Sequence, residues 1–272
     1  MPLISPTRES KKRSWIIITL VAFAFLTAAG IYFVFVPVQK SKQFEQALIE
    51  QFDWTYKYTP PADGFLEPGR LEKFIHVREA VQPNCKTFQG ILDSVIRLEE
   101  IESDPDMAAS DKAAEGFSGL KKMLSGATGF LEFMDARNQA LLAEEMGLGE
   151  YYYIYFAAYG SQLAAESTGK YAEQDDAGIS SRTRSEFTRI LMNQLAALET
   201  GGSAASTDLA TRLQSEITNL KRNPESSPWA HGPPPGTLKS LAPYSEQIDA
   251  LYCEGIVKIE LLQKNRGLNF GG

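Results

Sequence analysis

Residues 15–37, WIIITLVAFAFLTAAGIYFVFVP, run for 23 positions without a charged side chain. A bilayer core about 30 Å thick is crossed by roughly 20 apolar residues in a helix, so this stretch is long enough to span one. A secretory signal peptide is the competing reading, but its apolar region runs roughly 7–15 residues up to a small-residue cleavage site. Small residues stand at 27–30, yet IYFVFV continues the apolar run directly after them, which favours an uncleaved anchor. Arg8, Lys11, Lys12 and Arg13 precede the stretch against one acid, Glu9, and only Lys40 and Lys42 follow closely. Basic residues stay on the cytoplasmic side. The expected layout is a cytoplasmic tail at 1–14, a single-pass anchor at 15–37 in the cell (inner) membrane, and a periplasmic or extracellular portion at 38–272. The lipid bilayer is thus the first expected partner. Ala24 and Ala28 form a small-residue pair that permits association of anchors without requiring it.

Beyond the anchor, charge narrows the other partners. Taking the tail's four basic residues and one acidic residue from the chain's 27 and 34 leaves 23 and 33, a net charge of −10. An acidic surface of this kind argues against nucleic acid and anionic lipid and leaves other membrane or envelope proteins as expected partners. Two cysteines, Cys85 and Cys253, are too few for a disulfide scaffold or a four-cysteine zinc site. Two readings of them stand. In an oxidising compartment they pair and tie an early helix to the last one; otherwise they are two free buried thiols.

Hydrophobic spacing after the anchor is mostly helical. A juxtamembrane helix continues from the anchor. Phe52, Trp54, Tyr56 and Tyr58 then alternate in the manner of a strand. No second strand is available to pair with them, so 38–67 reads as that helix followed by an extended aromatic arm ending at Pro60-Pro61. From Pro68 apolar residues recur at three and four, with a kink or restart expected at Pro83. Residues 102–111 read as a loop. Phe117, Leu120, Leu124, Ala127, Leu131, Met134, Asn138 and Leu141 form a heptad-like seam. Further helices are expected around Phe187–Leu198, from Thr207 to Asn223, and as one final helix carrying Tyr244, Ile248, Leu251 and Tyr252. Segment 223–236, with three successive prolines, is read as non-helical: a surface loop with Trp229 tucked beneath it, or a partner-facing segment. The fold class is all-α, with about six helices packed as one bundle over 68–272.

EYYYIYFAAYG, residues 150–160, holds five tyrosines and one phenylalanine. In a helix, Tyr151, Tyr155 and Tyr159 share one stripe, Tyr152 and Phe156 another, and Tyr153 a third. A ligand platform or an interfacial belt would gather its rings on one face. A helix apolar on all sides is a buried one, so this segment is expected at the centre of the core.

The remaining motifs do not build a reaction site. His76 and His231 each lack a second ligand at helical spacing. Ser118–Lys121 and Ser167–Lys170 match a short serine-enzyme pattern without its companion motifs. Asp104, Asp106 and Glu115 fall at calcium-loop positions, but Ala108 and Ala109 occupy places that need an oxygen ligand and a glycine. No metal and no cofactor is expected, and no catalytic residue is assigned. Three functions remain. The first is a membrane-anchored scaffold or assembly factor that binds proteins in the cell envelope. The second is an accessory subunit of a larger membrane complex, with Trp54, Tyr56 and Trp229 as partner contacts. The third is a ligand sensor or enzyme whose pocket lies where Tyr151, Tyr155 and Tyr159 meet Arg137, Glu144, Glu145 and Glu150.

Overall fold

The computed structural model describes residues 39–90, 129–167, 181–201, 206–223, 226–229 and 232–257. All regular structure among them is helical. In chain order the helices are α1 (39–52), α2 (Pro68–Val81), α3 (85–90), α4 (129–143), α5 (Leu148–Ser167), α6 (Ser181–Gly201), α7 (Ser206–Arg222), α8 (Pro235–Leu241), α9 (Ser245–Ala250) and α10 (254–257). No helix of the described residues is long and apolar enough to cross a membrane. The expected anchor at 15–37 lies outside them, as do the loop at 102–111 and the seam positions Phe117 to Ala127.

α5 occupies the centre. Tyr151, Tyr153, Ile154, Tyr155, Phe156 and Tyr159 are all fully buried and Tyr152 is half-buried, so rings on more than one side of the helix are covered. α2 supplies Leu71, Phe74 and Val77 to the same core, α6 supplies Phe187, Ile190 and Leu191, and α7 supplies Leu213 and Leu220. α6 and α7 pack along one another. The rings of the core meet mostly tilted or edge-on, as between Phe156 and Phe187 at 4.6 Å and 55° and between Tyr155 and Tyr159 at 5.1 Å and 73°. Such contacts add about 0.5–1.5 kcal/mol each beyond the area they bury. Where residues 226–229 cross α5, Gly160 is required: a methyl group there would stand 2.9 Å from the Pro228 carbonyl oxygen.

Several expected boundaries move, each for a local reason. The aromatic arm is not extended: Thr55–Lys57 is a 3-10 turn. With no strand to pair with, its backbone satisfies itself, Lys57 N–H donating to the Trp54 carbonyl at 2.8 Å. Pro83 gives the expected restart, as a 3-10 turn at Gln82–Asn84 before α3. α6 begins at Ser181, ahead of its first buried apolar residue Phe187, because the Arg182–Glu186 pair supports an otherwise polar first turn. Pro235 opens α8, a position where its missing N–H costs nothing. The single final helix is instead three pieces. A 3-10 turn at Ala242–Tyr244, containing Pro243, separates α8 from α9, and non-helical Tyr252 and Cys253 precede α10. In α4 the buried face is Phe133, Arg137, Asn138 and Leu141; Leu131 and Met134 are half-buried.

Beside the main core, Val81, Phe88, Phe133, Cys253 and Ile256 form a smaller apolar cluster. A disulfide joins Cys85 to Cys253 inside it, with Cα atoms 5.9 Å apart and a sequence separation of 168. It holds the start of α3 against the segment between α9 and α10. Closing so long a loop removes roughly 5 kcal/mol of unfolded-chain entropy in the chain-entropy picture. Cys253→Ala should therefore melt well below the parent chain, and thiol reductant should lower the parent's melting temperature to a similar degree. The denatured parent should migrate faster on a gel without reductant than with it. Unchanged melting and mobility would show that the two sulfurs are not joined.

Candidate functional site

The charged residues expected to converge with the tyrosines separate into distinct contacts. Arg137 on α4 is buried; its guanidinium donates to Asn138 Oδ1 at 3.1 and 3.2 Å and to Tyr152 Oη at 3.1 Å. Glu150, in the first turn of α5, accepts both Nε and Nη2 of Arg70, a bidentate pair that ties the starts of α2 and α5 and raises the Arg70 guanidinium pKa. Glu144 meets exposed His76 at 3.1 Å. Glu145 has φ 50° and a side chain 74% exposed, with Lys73 Nζ at 3.8 Å. Arg70 Nη2 also donates to the Glu145 carbonyl at 3.2 Å, so Glu145 and Glu150 meet at Arg70, while Arg137 bonds Asn138 and Tyr152 and Glu144 meets His76.

What the tyrosines surround is Arg78 of α2, fully buried. Its guanidinium carbon lies 5.2 Å from the Tyr155 ring centroid and 5.3 Å from that of Tyr159. Nη1 donates to Tyr151 Oη at 3.0 Å and Nη2 to the Leu251 carbonyl at 3.3 Å, while Tyr159 donates to the Ile248 carbonyl at 3.0 Å. Aromatic faces and oxygens thus receive a charge that burial alone would expel. The sequence offered one signal for it: Arg78 sits at helical spacing from Leu71, Phe74 and Val81, a charge on an apolar stripe.

A second buried polar group lies on the far side of α5. Tyr153 Oη contacts Thr237 Oγ1 at 3.3 Å and Gln194 at 3.1 Å through Nε2, which also donates to the Pro61 carbonyl at 2.9 Å. Burial pushes the Tyr153 hydroxyl up to about 12, its hydrogen bonds to Thr237 and Gln194 acting the other way. Tyr58 nearby is pushed higher still, by burial first and by the charge of Glu150 second. Trp229 also belongs to the core: it is buried, edge-on to Tyr153 and Phe187 at 6.3 and 5.7 Å. Its backbone N–H is accepted by the buried carboxylate of Glu216. Of the two expectations for Trp229, the ring tucked beneath its loop is the one found, and the ring is not open to a partner.

Trp54 and Tyr56 are placed differently. α1 ends at Asp53, whose φ of 64° reverses the chain. The Asp53 carboxylate accepts Lys57 Nζ at 2.9 Å and the Trp54 N–H at 2.8 Å, and these two bonds, in that order, lower its pKa. Trp54 is 43% exposed. Its ring lies parallel to that of Tyr56, centroids 6.3 Å apart and planes inclined by 16°. The Arg189 guanidinium sits 4.8 Å from the Tyr56 centroid. Asn193 Nδ2 clamps the turn from below, donating to the carbonyls of Tyr56 and Tyr58 at 2.9 and 3.0 Å. Gly149 permits this docking, since a methyl group there would meet the Thr55 carbonyl oxygen at 2.3 Å and Tyr58 Cβ at 2.4 Å.

The turn and one stripe of α6 enclose two adjoining shallow depressions. Tyr56, Lys57, Thr59, Arg189, Met192 and Asn193 line one; Trp54, Tyr56, Arg182, Ser185, Glu186 and Arg189 line the other. Both are open, so the arrangement suits contact with another chain better than enclosure of a small molecule. The α6 contributors were not singled out from sequence. Arg182, Ser185, Arg189 and Met192 do recur at three and four, but nothing local says which aromatics they will face. Among the described residues no group of three or more His, Cys, Asp or Glu is placed to hold a metal ion. No family model, curated protein or solved structure matches the chain.

Two measurements probe the buried groups. Arg78→Met keeps the stem but leaves Tyr151 and the Leu251 carbonyl without their donor. It should lower the denaturant midpoint, at unchanged slope, by the equivalent of roughly 3 kcal/mol, and Arg78→Lys should restore only part of this because it lacks the planar fork. Tyr153 binds its proton more tightly folded, at about 12, than at the ordinary value of 10.0. Its contribution is therefore present below pH about 10 and declines as pH rises toward 12. Alkaline unfolding followed together with tyrosinate absorbance should show Tyr153 ionising only as the fold opens; Tyr153→Phe should flatten that decline.

Proposed function

We propose that this chain is a membrane-anchored helical scaffold that holds a partner protein of the cell envelope on the face formed by Trp54, Tyr56 and the outer stripe of α6. The observation that carries this reading is the exposed Trp54–Tyr56–Arg189 stack. Large rings left on a surface are costly to solvate and are enriched, with arginine, at the energetic centres of protein interfaces. The stack is also held rigid before any partner arrives, by Asp53, Asn193 and the close approach to Gly149. A preformed surface loses little entropy on binding.

The anchor completes the reading. Residues 15–37 are uncharged and long enough to span a bilayer, and the chain from residue 39 to 52 is helical. Leu48 of α1 is buried in the main core, so the membrane-proximal helix is continuous with the domain and would hold it close to the bilayer. The acidic character of residues 38–272 fits a solvated exported domain.

The full chain with Trp54→Ala and Tyr56→Ala, isolated from native membranes in mild detergent, tests the proposal. Both residues lie outside the buried core, so melting should fall by no more than about 1 kcal/mol equivalent. Proteins that co-isolate with the parent chain should be lost or strongly depleted. A partner set that survives the double substitution would place the interface elsewhere. A fixed stoichiometry in the parent particle would make the chain an accessory subunit; sub-stoichiometric partners would make it a transient tether.

A further inference from the structure

Arg189 differs from the other cations of the same face. Lys57 is paired with Asp53 at 2.9 Å and Arg182 with Glu186 at 2.6 Å. No carboxylate of the described residues lies within ion-pair distance of Arg189, whose charge rests on the Tyr56 ring. A guanidinium that stacks on a ring by its flat face keeps the N–H donors of its edge, set in a fixed fork, free to pair. That edge matches a carboxylate bidentately. The side chain is already held, so less freedom is lost when the bond forms.

Two further features describe what accompanies the carboxylate. Trp54 and Met192 are 43% and 45% exposed, and Met192 follows Arg189 by three positions on α6, within the same depression. They offer apolar contact on either side of the charge. The charged residues lining the two depressions are Lys57, Arg182, Arg189 and Glu186; with Asp53 neutralising Lys57 and Glu186 neutralising Arg182, the positive charge left is that of Arg189, on a chain whose net charge is −7. An acidic segment is repelled by most of this molecule and attracted here, which selects both the partner's charge and its place of docking.

We infer that the Arg189 edge, flanked by Trp54 and Met192, receives an acidic peptide segment of a partner protein, an Asp or Glu carboxylate meeting the guanidinium while neighbouring apolar side chains lie on Trp54 and Met192. This rests on the reading of the Trp54–Tyr56 face as the partner-binding surface. Recognition is by a short exposed segment, because the depressions are shallow and open.

The test uses the full chain in detergent micelles and fluorescently labelled octapeptides that alternate Asp or Glu with Leu or Phe, each with an Asn or Gln twin. Acidic probes should bind and weaken with added salt. Arg189→Met should reduce their affinity about tenfold or more, as expected for loss of a charge-assisted pair, and Arg189→Lys should reduce it less. Trp54→Ala should also weaken binding. Twins that bind as tightly as the acidic probes, or acidic binding unmoved by Arg189→Met, would overturn the carboxylate assignment. If no probe binds, yet Trp54→Ala with Tyr56→Ala still strips partners from the native particle, the acidic-segment inference fails and the scaffold reading stands. If neither assay responds, both fail. Self-association of the full chain that Arg189→Met abolishes would identify the occupant as a second copy and overturn the inference of a different partner protein.

Discussion

The burial of Arg78 is the constraint around which the other elements are arranged. A guanidinium with no exposed surface is tolerated only where its hydration is replaced, and here elements distant in sequence meet to replace it. α2 brings the charge, α5 brings the faces of Tyr155 and Tyr159 and the hydroxyl of Tyr151, and the end of α9 brings the Leu251 carbonyl. The Leu251 carbonyl is available because the helix stops there. The break that divides the expected final helix and the acceptor that Arg78 needs are one feature.

The disulfide acts on the same geometry from the other side. Cys85 follows Arg78 by two helical turns, and Cys253 follows Leu251 by two residues, so the covalent tie and the guanidinium grip the same two segments. Tyr159 adds a third hold through the Ile248 carbonyl. These directed contacts act beside ordinary packing, since Ile248, Ile256 and Val257 of the same stretch are buried in the two apolar clusters.

Aromatic residues serve two purposes in this fold, and their surroundings decide which. On α5 the rings face neighbouring helices on all sides and are spent on the core. On the Trp54–Lys57 turn the backbone is reversed by Asp53 and clamped by Asn193, and two rings remain on the surface with Arg189. The longest run of tyrosines is thus buried, and the partner-facing candidates are the less conspicuous pair upstream of it.

Hydrophobic period was sufficient to read an all-helical fold, which holds among the described residues, and to place the tyrosine segment at the centre, because a helix apolar on all sides has no solvent face to offer. It also gave the restart at Pro83, since proline cannot continue the hydrogen-bond ladder. The charge count and the uncharged 15–37 stretch are likewise properties of residues alone. Other features depended on which elements meet. Alternation at 52–58 read as an extended arm because period two describes side-chain order and does not show that an unpaired backbone will bond to itself in a 3-10 turn. Arg137, Glu144, Glu145 and Glu150 are close in sequence, yet the glutamates find their partners in a distant part of the chain, Arg70, Lys73 and His76 of α2, and the charge that the tyrosines hold is also from α2. Trp229 went inside because Phe187 and Tyr153 left room for its ring, and Arg189 became the open cation because Tyr56 lies over it while the acids beside it are taken by Lys57 and Arg182. Local spacing determines which residues share a face; only the packing of one face on another determines what that face touches.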